Sequence, residues 1–378
     1  MSEAIEQITL HQSPLDETHR RLGASMSERE GWLLPSSYGD PASEYRAVRG
    51  GGAGLIDLSS RARIEVSGAE AVQFLNGMIT NDVKALEESA WMPAAFPTVQ
   101  GRLIAQARVL RRGGSFLFDT EAVTYERVLK TLERFTLAGD FRVTDLTSET
   151  ALLSVQGSRA VEVISAVLGE EAARVERGRV FTAQWRDQSL TIIRATHTAE
   201  DGFDLFGSVT DAHALWDALT SSGAQPVGYE ALEVLRIEAG LPRYGVDMDE
   251  SNVVLEAGLD DAVSFTKGCY IGQEIIARIH WRGHVAKRLA GLSLDAAGTV
   301  QREDKVRAID GKEIGRLTSV TFSPRLNRTI ALGYVKYDSL APGTQVTIVS
   351  GDQERAAQVV ELPFVRGGWY GSDSGANP

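Results

Sequence analysis

The chain has 378 residues, 43% of them hydrophobic and 24% charged, with a formal net charge of −12 from 39 basic and 51 acidic side chains. This length predicts two or three domains whose cores need no covalent staples. The acidic balance works against general nucleic-acid binding. The single cysteine, Cys269, excludes an internal disulfide or a multi-cysteine metal site within one copy of the chain.

The opening stretch, MSEAIEQITLHQSPLDETHRRLG, is polar and acidic. It lacks the apolar segment of a secretory signal and the acid-poor composition of a transit peptide, so a cytoplasmic protein is expected, with residues 1–30 a flexible lead-in. No run approaches the ~18 apolar residues of a membrane helix. GGAGLIDLSSRARIEVSG then reads as a turn and two strands, with RARIEV alternating polar and apolar. AEAVQFLNGMI is a helix with Val72, Leu75 and Ile79 on one face. LIAQARVLRRGGSFLFDT is a hairpin turning at Gly113-Gly114. VTYERVLKTLERF follows as a helix and RVTDLT as a strand.

The next block repeats this logic with a split near residue 150. TALLSVQG is a strand, SRAVEVISAVL a helix, LTIIRATHT and GFDLFGS a strand pair, and AHALWDALTSSG a helix. GYEALEVLRIEAGLPRYG is a further helix, with Leu232, Leu235 and Ala239 at helical spacing and Gly240 and Pro242 as its stop. Beyond residue 285 the texture changes to short strands separated by DG, SP and PG turns, which predicts a β-barrel or sandwich over 285–370 and a short tail over 371–378.

Three stretches invite a chemical reading. In TKGCYIGQEIIARIH, Gly268 and Gly272 bracket Cys269, Lys267 places a charge nearby, and a helix begins just after. A free cysteine is most often a small buried hydrophobe, but a loop of this kind also favours a reactive thiolate; both readings stand. RIHWRGHVAKR, with Arg278, His280, Arg282, His284, Lys287 and Arg288, is either a solvated connector or an anion-facing wall. EDGFD, residues 200–204, is either a turn-former or a carboxylate that receives a heterocycle's N–H groups. No nucleotide-binding glycine loop, GxSxG elbow or HExxH motif stands in a fitting context.

The octapeptide KGCYIGQE resembles the signature of the YgfZ-type proteins, folate-binding relatives of the glycine-cleavage T-protein (aminomethyltransferase). SEYRAVRG, GAGLIDLS, FLNGMITNDV, LLSVQGSRA, EDGFDLF, LRIEAGLPRYGVDM, GRLTSVTFSP and IALGYV extend the resemblance over residues 40–365. It implies an α+β, three-lobed cloverleaf, with two α+β lobes in 31–284 around a channel for tetrahydrofolate or a one-carbon derivative of it, and a C-terminal β-barrel. It implies a folate-binding accessory protein that supports iron–sulfur cluster assembly or repair in client enzymes, with an indirect effect on tRNA modification. Its partners would be client proteins or assembly factors, with no membrane, no direct nucleic-acid contact and no permanently bound metal. The alternative is a folate-dependent aminomethyltransferase or demethylase.

Carried over residue by residue, the resemblance places Cys269 and Lys267 in a catalytic role at the channel mouth. Gly268, Tyr270, Gly272, Gln273 and Glu274 complete the signature, and Glu200 and Arg236 would bind folate. The chain departs from the aminomethyltransferases where their GGIxDD-like strand becomes QGRLIAQARV, so that Ala105 and Gln106 stand where carboxylates are used. On that ground aminomethyl transfer is disfavoured. Arg61 and His197 also replace a methionine and an aromatic residue of the enzymes' pocket.

Overall fold

Residues 10–134, 139–294 and 300–371 are described by the structure, a computed structural model. The chain begins with β1 (His11–Gln12), α1 (Asp16–Arg21), β2 (Ser25–Arg29) and β3 (Trp32–Ser37). These strands form a small sheet in the order β1-β3-β2. The expected flexible lead-in is therefore ordered from residue 10 onward. A buried polar chain fixes it: the hydroxyl of Ser13 donates to Asp57, His19 Nε2 lies 2.9 Å from the same carboxylate, and Tyr38 meets His19 Nδ1 at 2.7 Å. Residues 1–9 of the lead-in and 372–378 of the tail lie outside the described residues.

Helix α2 (Pro41–Arg49) is capped by Asp40, whose carboxylate accepts from the N–H groups of Ala42 and Ser43, with proline in its first turn. It leads into β4 (Gly54–Asp57). Then come β5 (Ala62–Ser67), α3 (Ala71–Met78), β6 (Ala90–Pro97), β7 (Leu103–Arg112), β8 (Ser115–Thr120), α4 (Tyr125–Glu133) and β9 (Arg142–Asp145). Strands β6-β7-β8-β5-β9 make a five-stranded sheet. The β7–β8 hairpin turns at Gly113-Gly114, pairing Arg112 with Ser115.

The second lobe contains β10 (Thr150–Gln156), α5 (Ala160–Leu168), α6 (Glu170–Ala173), β11 (Val180–Trp185), β12 (Gln188–Arg194), β13 (Gly202–Ser208), α7 (Ala212–Ser221), β14 (Gln225–Pro226) and α8 (Tyr229–Glu238). Its six-stranded sheet runs β11-β12-β13-β10-β4-β14. Strand β4 thus pairs with β10 across nearly a hundred residues of chain, and the lobes interleave instead of dividing once near residue 150. Helix α9 (Gln273–Arg282) precedes a closed barrel of β15 (Lys287–Leu294), β16 (Lys305–Ala308), β17 (Glu313–Ser323), β18 (Arg328–Lys336), β19 (Gln345–Ser350) and β20 (Gln353–Val360). Closure leaves the barrel no free edge.

Each sheet covers its outer face with its own helices. The inner faces share an apolar layer in which Ile56, Leu110, Leu117, Leu152, Ile193 and Phe206 meet Leu235 of α8. Ile237, on the other side of α8, packs against Leu289, Ile330 and Leu332 of the barrel. Helix α8 is therefore the post on which all three units converge. Among the described residues no helix is long and apolar enough to cross a membrane.

Candidate functional site

At one end of the inter-sheet layer, apolar contact gives way to charge. Side chains two apart on a strand share a face, so Leu110, Leu117 and Phe206 of the layer are followed by Arg108, Asp119 and Asp204. Asp119 and Asp204 are fully buried. Arg61 grips Asp119 with Nε and Nη2 at 2.8 and 3.0 Å, and Arg108 Nε donates to it at 2.7 Å. Arg108 also bonds Asp204, whose two oxygens lie 2.9 and 3.2 Å from His197 Nε2. Burial alone would raise the carboxyl of Asp119, but Arg108 and Arg61 hold it below the usual carboxylate range. His197 and Arg108 do the same for Asp204. The result is a buried relay, Arg61–Asp119–Arg108–Asp204–His197.

Both ends of the relay, Arg61 and His197, reach a cavity between the sheets and α8. Arg29 and Glu30, at the tip of the β2–β3 hairpin, line one side, and Glu121 sits near Arg61. Tyr229, Leu232, Glu233 and Arg236, spaced three and four apart, present one face of α8. Arg243, beyond the end of α8, completes the wall. The ion pairs at the rim are long: Arg29–Glu233 at 3.7 Å, Arg243–Glu30 at 3.6 Å and Arg243–Glu233 at 3.9 Å. Burial and the neighbouring Arg243 charge pull Arg29 down, while burial and Glu121 push Glu30 up. Among the described residues, the Nε atoms of Arg236 and Arg243 are buried without a hydrogen-bond partner. Such orphaned donors are costly unless a ligand satisfies them.

Residues 15–267 match the GCVT N-terminal domain, and residues 287–366 match the glycine cleavage T-protein C-terminal barrel domain. The chain belongs to the glycine cleavage T-protein family. It is 34% identical to an aminomethyltransferase of Rubrobacter xylanophilus over 96% of each chain. It is 33% identical to one of Alcanivorax borkumensis, over 95% of this chain and 98% of the relative. A crystal structure of glycine cleavage system aminomethyltransferase T from Bartonella henselae superimposes with a TM-score of 0.86 at 26% identity, over 94% of this chain and 98% of that one. The expected α+β T-protein fold with a C-terminal barrel is thereby established. The relatives are named as aminomethyltransferases, not as YgfZ-type proteins, and this favours the alternative activity over a role in iron–sulfur assembly.

Within this T-protein-family fold the expected site residues separate. Arg236 lines the cavity, where its guanidinium contacts Asp247, Glu233 and Ser319 Oγ. Glu200 is not part of that wall. Its carboxylate takes Arg49 Nη1 at 2.8 Å and the Gly368 N–H at 2.8 Å, tying α2 and the chain after the barrel to the second lobe. Cys269 is exposed and also lies outside the cavity wall. Lys267 is turned inward: its ammonium donates to the carbonyls of Ile79 and Asn81 at 2.9 and 2.6 Å, and sits over the Tyr270 ring. Tyr270 and Ile276 pack with Leu103 and Val254. Gly272 is left-handed at φ 77°, and a Cβ there would stand 2.4 Å from the Thr98 carbonyl. The glycine thus serves close packing of two loops. Gln273 and Glu274 open α9, and Gly268 is exposed. In the basic island, His280 stacks on Phe265, His284 stacks on Tyr337, and Arg288 pairs with Asp260, so it forms no wall of the cavity. No group of metal-ligating side chains occurs among the described residues.

Ala105 is buried in the first lobe's core, and Gln106 follows on the opposite face of β7. Neither lines the cavity, whereas the other two departures, Arg61 and His197, both do. Sequence reasoning missed Arg29, Glu30, Tyr229, Glu233 and Arg243. The one signal available was the three–four spacing of Tyr229, Glu233 and Arg236 on a helix already recognised.

Burial pulls Lys267 down to about 8 from 10.5, against the opposing attraction of Asp82. Between those values the unfolded chain binds more protons than the folded one, so this lysine makes stability rise with pH through that window. In Lys267→Met the rise is expected to disappear. Urea midpoints of wild type and variant, compared from neutral pH upward, check this; a pH-independent difference between them would count against it.

Proposed function

We propose that the chain is a tetrahydrofolate-dependent one-carbon transferase of the aminomethyltransferase type, working in the central cavity. The observation that carries this reading is the cavity's set of under-used guanidiniums. Among the described residues Arg29 and Arg243 have only long ion pairs, and the Nε atom of Arg243 lacks a partner. A folate fits this set, since its carboxylates accept from arginine and its pterin ring exchanges hydrogen bonds with polar walls. Arg29 and Arg243 would hold the carboxylate end. Glu233, Glu30 and Tyr229 would meet the ring, and Leu34, Leu58 and Leu232 supply apolar contact. When bound, tetrahydrofolate supplies a nucleophilic amine as the one-carbon acceptor. End-to-end similarity to named aminomethyltransferases supports the same reading. The role expected for Glu200 as a folate ligand passes, in this proposal, to Glu233.

One observation favours a second reading, a thiol-dependent role in iron–sulfur maturation: Cys269 is exposed within KGCYIGQE. The two readings separate in one experiment. Calorimetry with tetrahydrofolate is expected to show saturable binding, weakened about 10- to 100-fold in Arg243→Ala, the scale of one lost charged hydrogen bond. Formation of methylenetetrahydrofolate from an S-aminomethyl thiol is expected to be unchanged in Cys269→Ala. Absence of tetrahydrofolate binding overturns the transferase. Loss of tRNA methylthiolation in a host that depends on this chain, caused by Cys269→Ala alone, would establish the thiol role instead.

A further inference from the structure

We infer that His197, oriented by Asp204, is the proton-transferring residue of the cavity. This rests on the transferase reading above. The carboxylate position of the aminomethyltransferase strand holds Ala105 and Gln106, so proton transfer needs another group. His197 lines the cavity with its side chain 20% exposed, and the fully buried Asp204 contacts its Nε2 with both oxygens. Among the described residues no hydrogen bond reaches Nδ1, and the main-chain N–H of His197 is fixed by Gln156 Oε1 at 3.0 Å. A carboxylate that stays ionised places the ring proton on Nε2 and leaves Nδ1 as a free acceptor. Asp204 stays ionised because Arg108 braces it from behind, and Asp119 in turn braces Arg108.

The step this allows is balanced. One acceptor nitrogen bonds the one-carbon unit as that carbon's bond to the donor sulfur breaks. The second acceptor nitrogen then bonds the same carbon as that carbon's bond to the amino nitrogen breaks and ammonia departs. Each leaving heteroatom keeps the electron pair and gains the proton shed by the attacking nitrogen. His197 Nδ1 takes the proton shed by the amine and returns it to the leaving heteroatom. No oxidant or reductant is required. The charged and titratable groups that share the site with the ring are Asp204 of β13, Arg108 of β7, Arg61, Glu121, Arg29 and Glu30 of the β2–β3 hairpin, Tyr229, Glu233 and Arg236 of α8, and Arg243 beyond it. Arg61 is held by Asp119 and Glu121. Tyr229 is pushed up to about 12 by burial, which removes it as a base near neutral pH.

The test uses the intact chain, tetrahydrofolate and an S-aminomethyl thiol donor. Wild type that neither binds tetrahydrofolate nor transfers overturns the transferase reading and this assignment together. With active wild type, His197→Gln is expected to lower kcat at least about 100-fold, to keep the tetrahydrofolate Kd within about threefold and to lose the acid-side fall of the wild-type pH profile. Imidazole added to His197→Gly is expected to restore part of the rate. Nitrogen-15 spectra of ligand-free wild type are expected to show the His197 proton on Nε2, and Asp204→Asn to shift it to Nδ1. Wild-type kcat and pH profile in His197→Gln would overturn the assignment while leaving the transferase reading intact. A ring proton on Nδ1 in wild type would do the same.

Discussion

Replacing Asp119 by alanine is expected to destabilise the protein by about 3–5 kcal/mol, the usual scale for removing one partner of a buried ion pair. Asp119 is fully buried, with Arg61 gripping it by two nitrogens and Arg108 by a third. Its loss leaves two guanidiniums at the head of the cavity, one held by Glu121 and the other by Asp204. Urea unfolding at neutral pH measures the effect. The acid side gives a second readout. The folded-state carboxyl is depressed, so its stabilisation is present above the ordinary carboxylate range and is lost as pH falls from that range through the lower folded-state value. Wild type should therefore lose stability more steeply than the variant on acidification. Asp201→Ala, which breaks the more exposed pair with Arg194, is the internal contrast and should cost under about 1 kcal/mol. Equal losses for the two would refute the argument that burial sets the scale.

The second large effect is at Asp247. This carboxylate is buried where α8 meets the barrel, and it receives Arg236 Nη1, the Arg243 main-chain N–H at 3.0 Å and the hydroxyls of Thr318 and Ser319, each at 2.6 Å. Asp247→Ala removes the carboxylate that ties the barrel to Arg236 of α8 and leaves that guanidinium with Glu233 as its ionic partner among the described residues. A loss of about 3–5 kcal/mol is again expected, together with weaker binding of the tetrahydrofolate proposed for the cavity, because Arg236 lines it. Unfolding with the barrel and the lobes monitored separately would reveal whether they uncouple. A single unchanged transition with unchanged folate affinity would refute the linkage.

Much of the fold was legible because its elements carry their own period. The β7–β8 hairpin is written in alternation and a glycine pair, and α8 in leucines three and four apart. The barrel is written in short strands and turns. What was illegible depends on distant partners. The ordered segment from residue 10 lacks an amphipathic signature, since its anchor is the polar chain Ser13–Asp57–His19–Tyr38. Strand β4 lies beside β10 and β14, so four residues that read as first-lobe sequence belong to the second-lobe sheet.

The same division runs through the site. The signature octapeptide marked the right superfamily but drew attention to Cys269, although its lysine and glycine serve packing against the carbonyls of Ile79, Asn81 and Thr98. Arg61 and His197 were visible in the sequence only as departures. Periodicity and motif order determined the α+β class, the barrel at its end and the family, because these follow from short-range pattern. Only the tertiary structure decided which charges face one another. A carboxylate's role is set by what surrounds it after folding: Glu200 is spent on Arg49, and Asp204 is spent on His197.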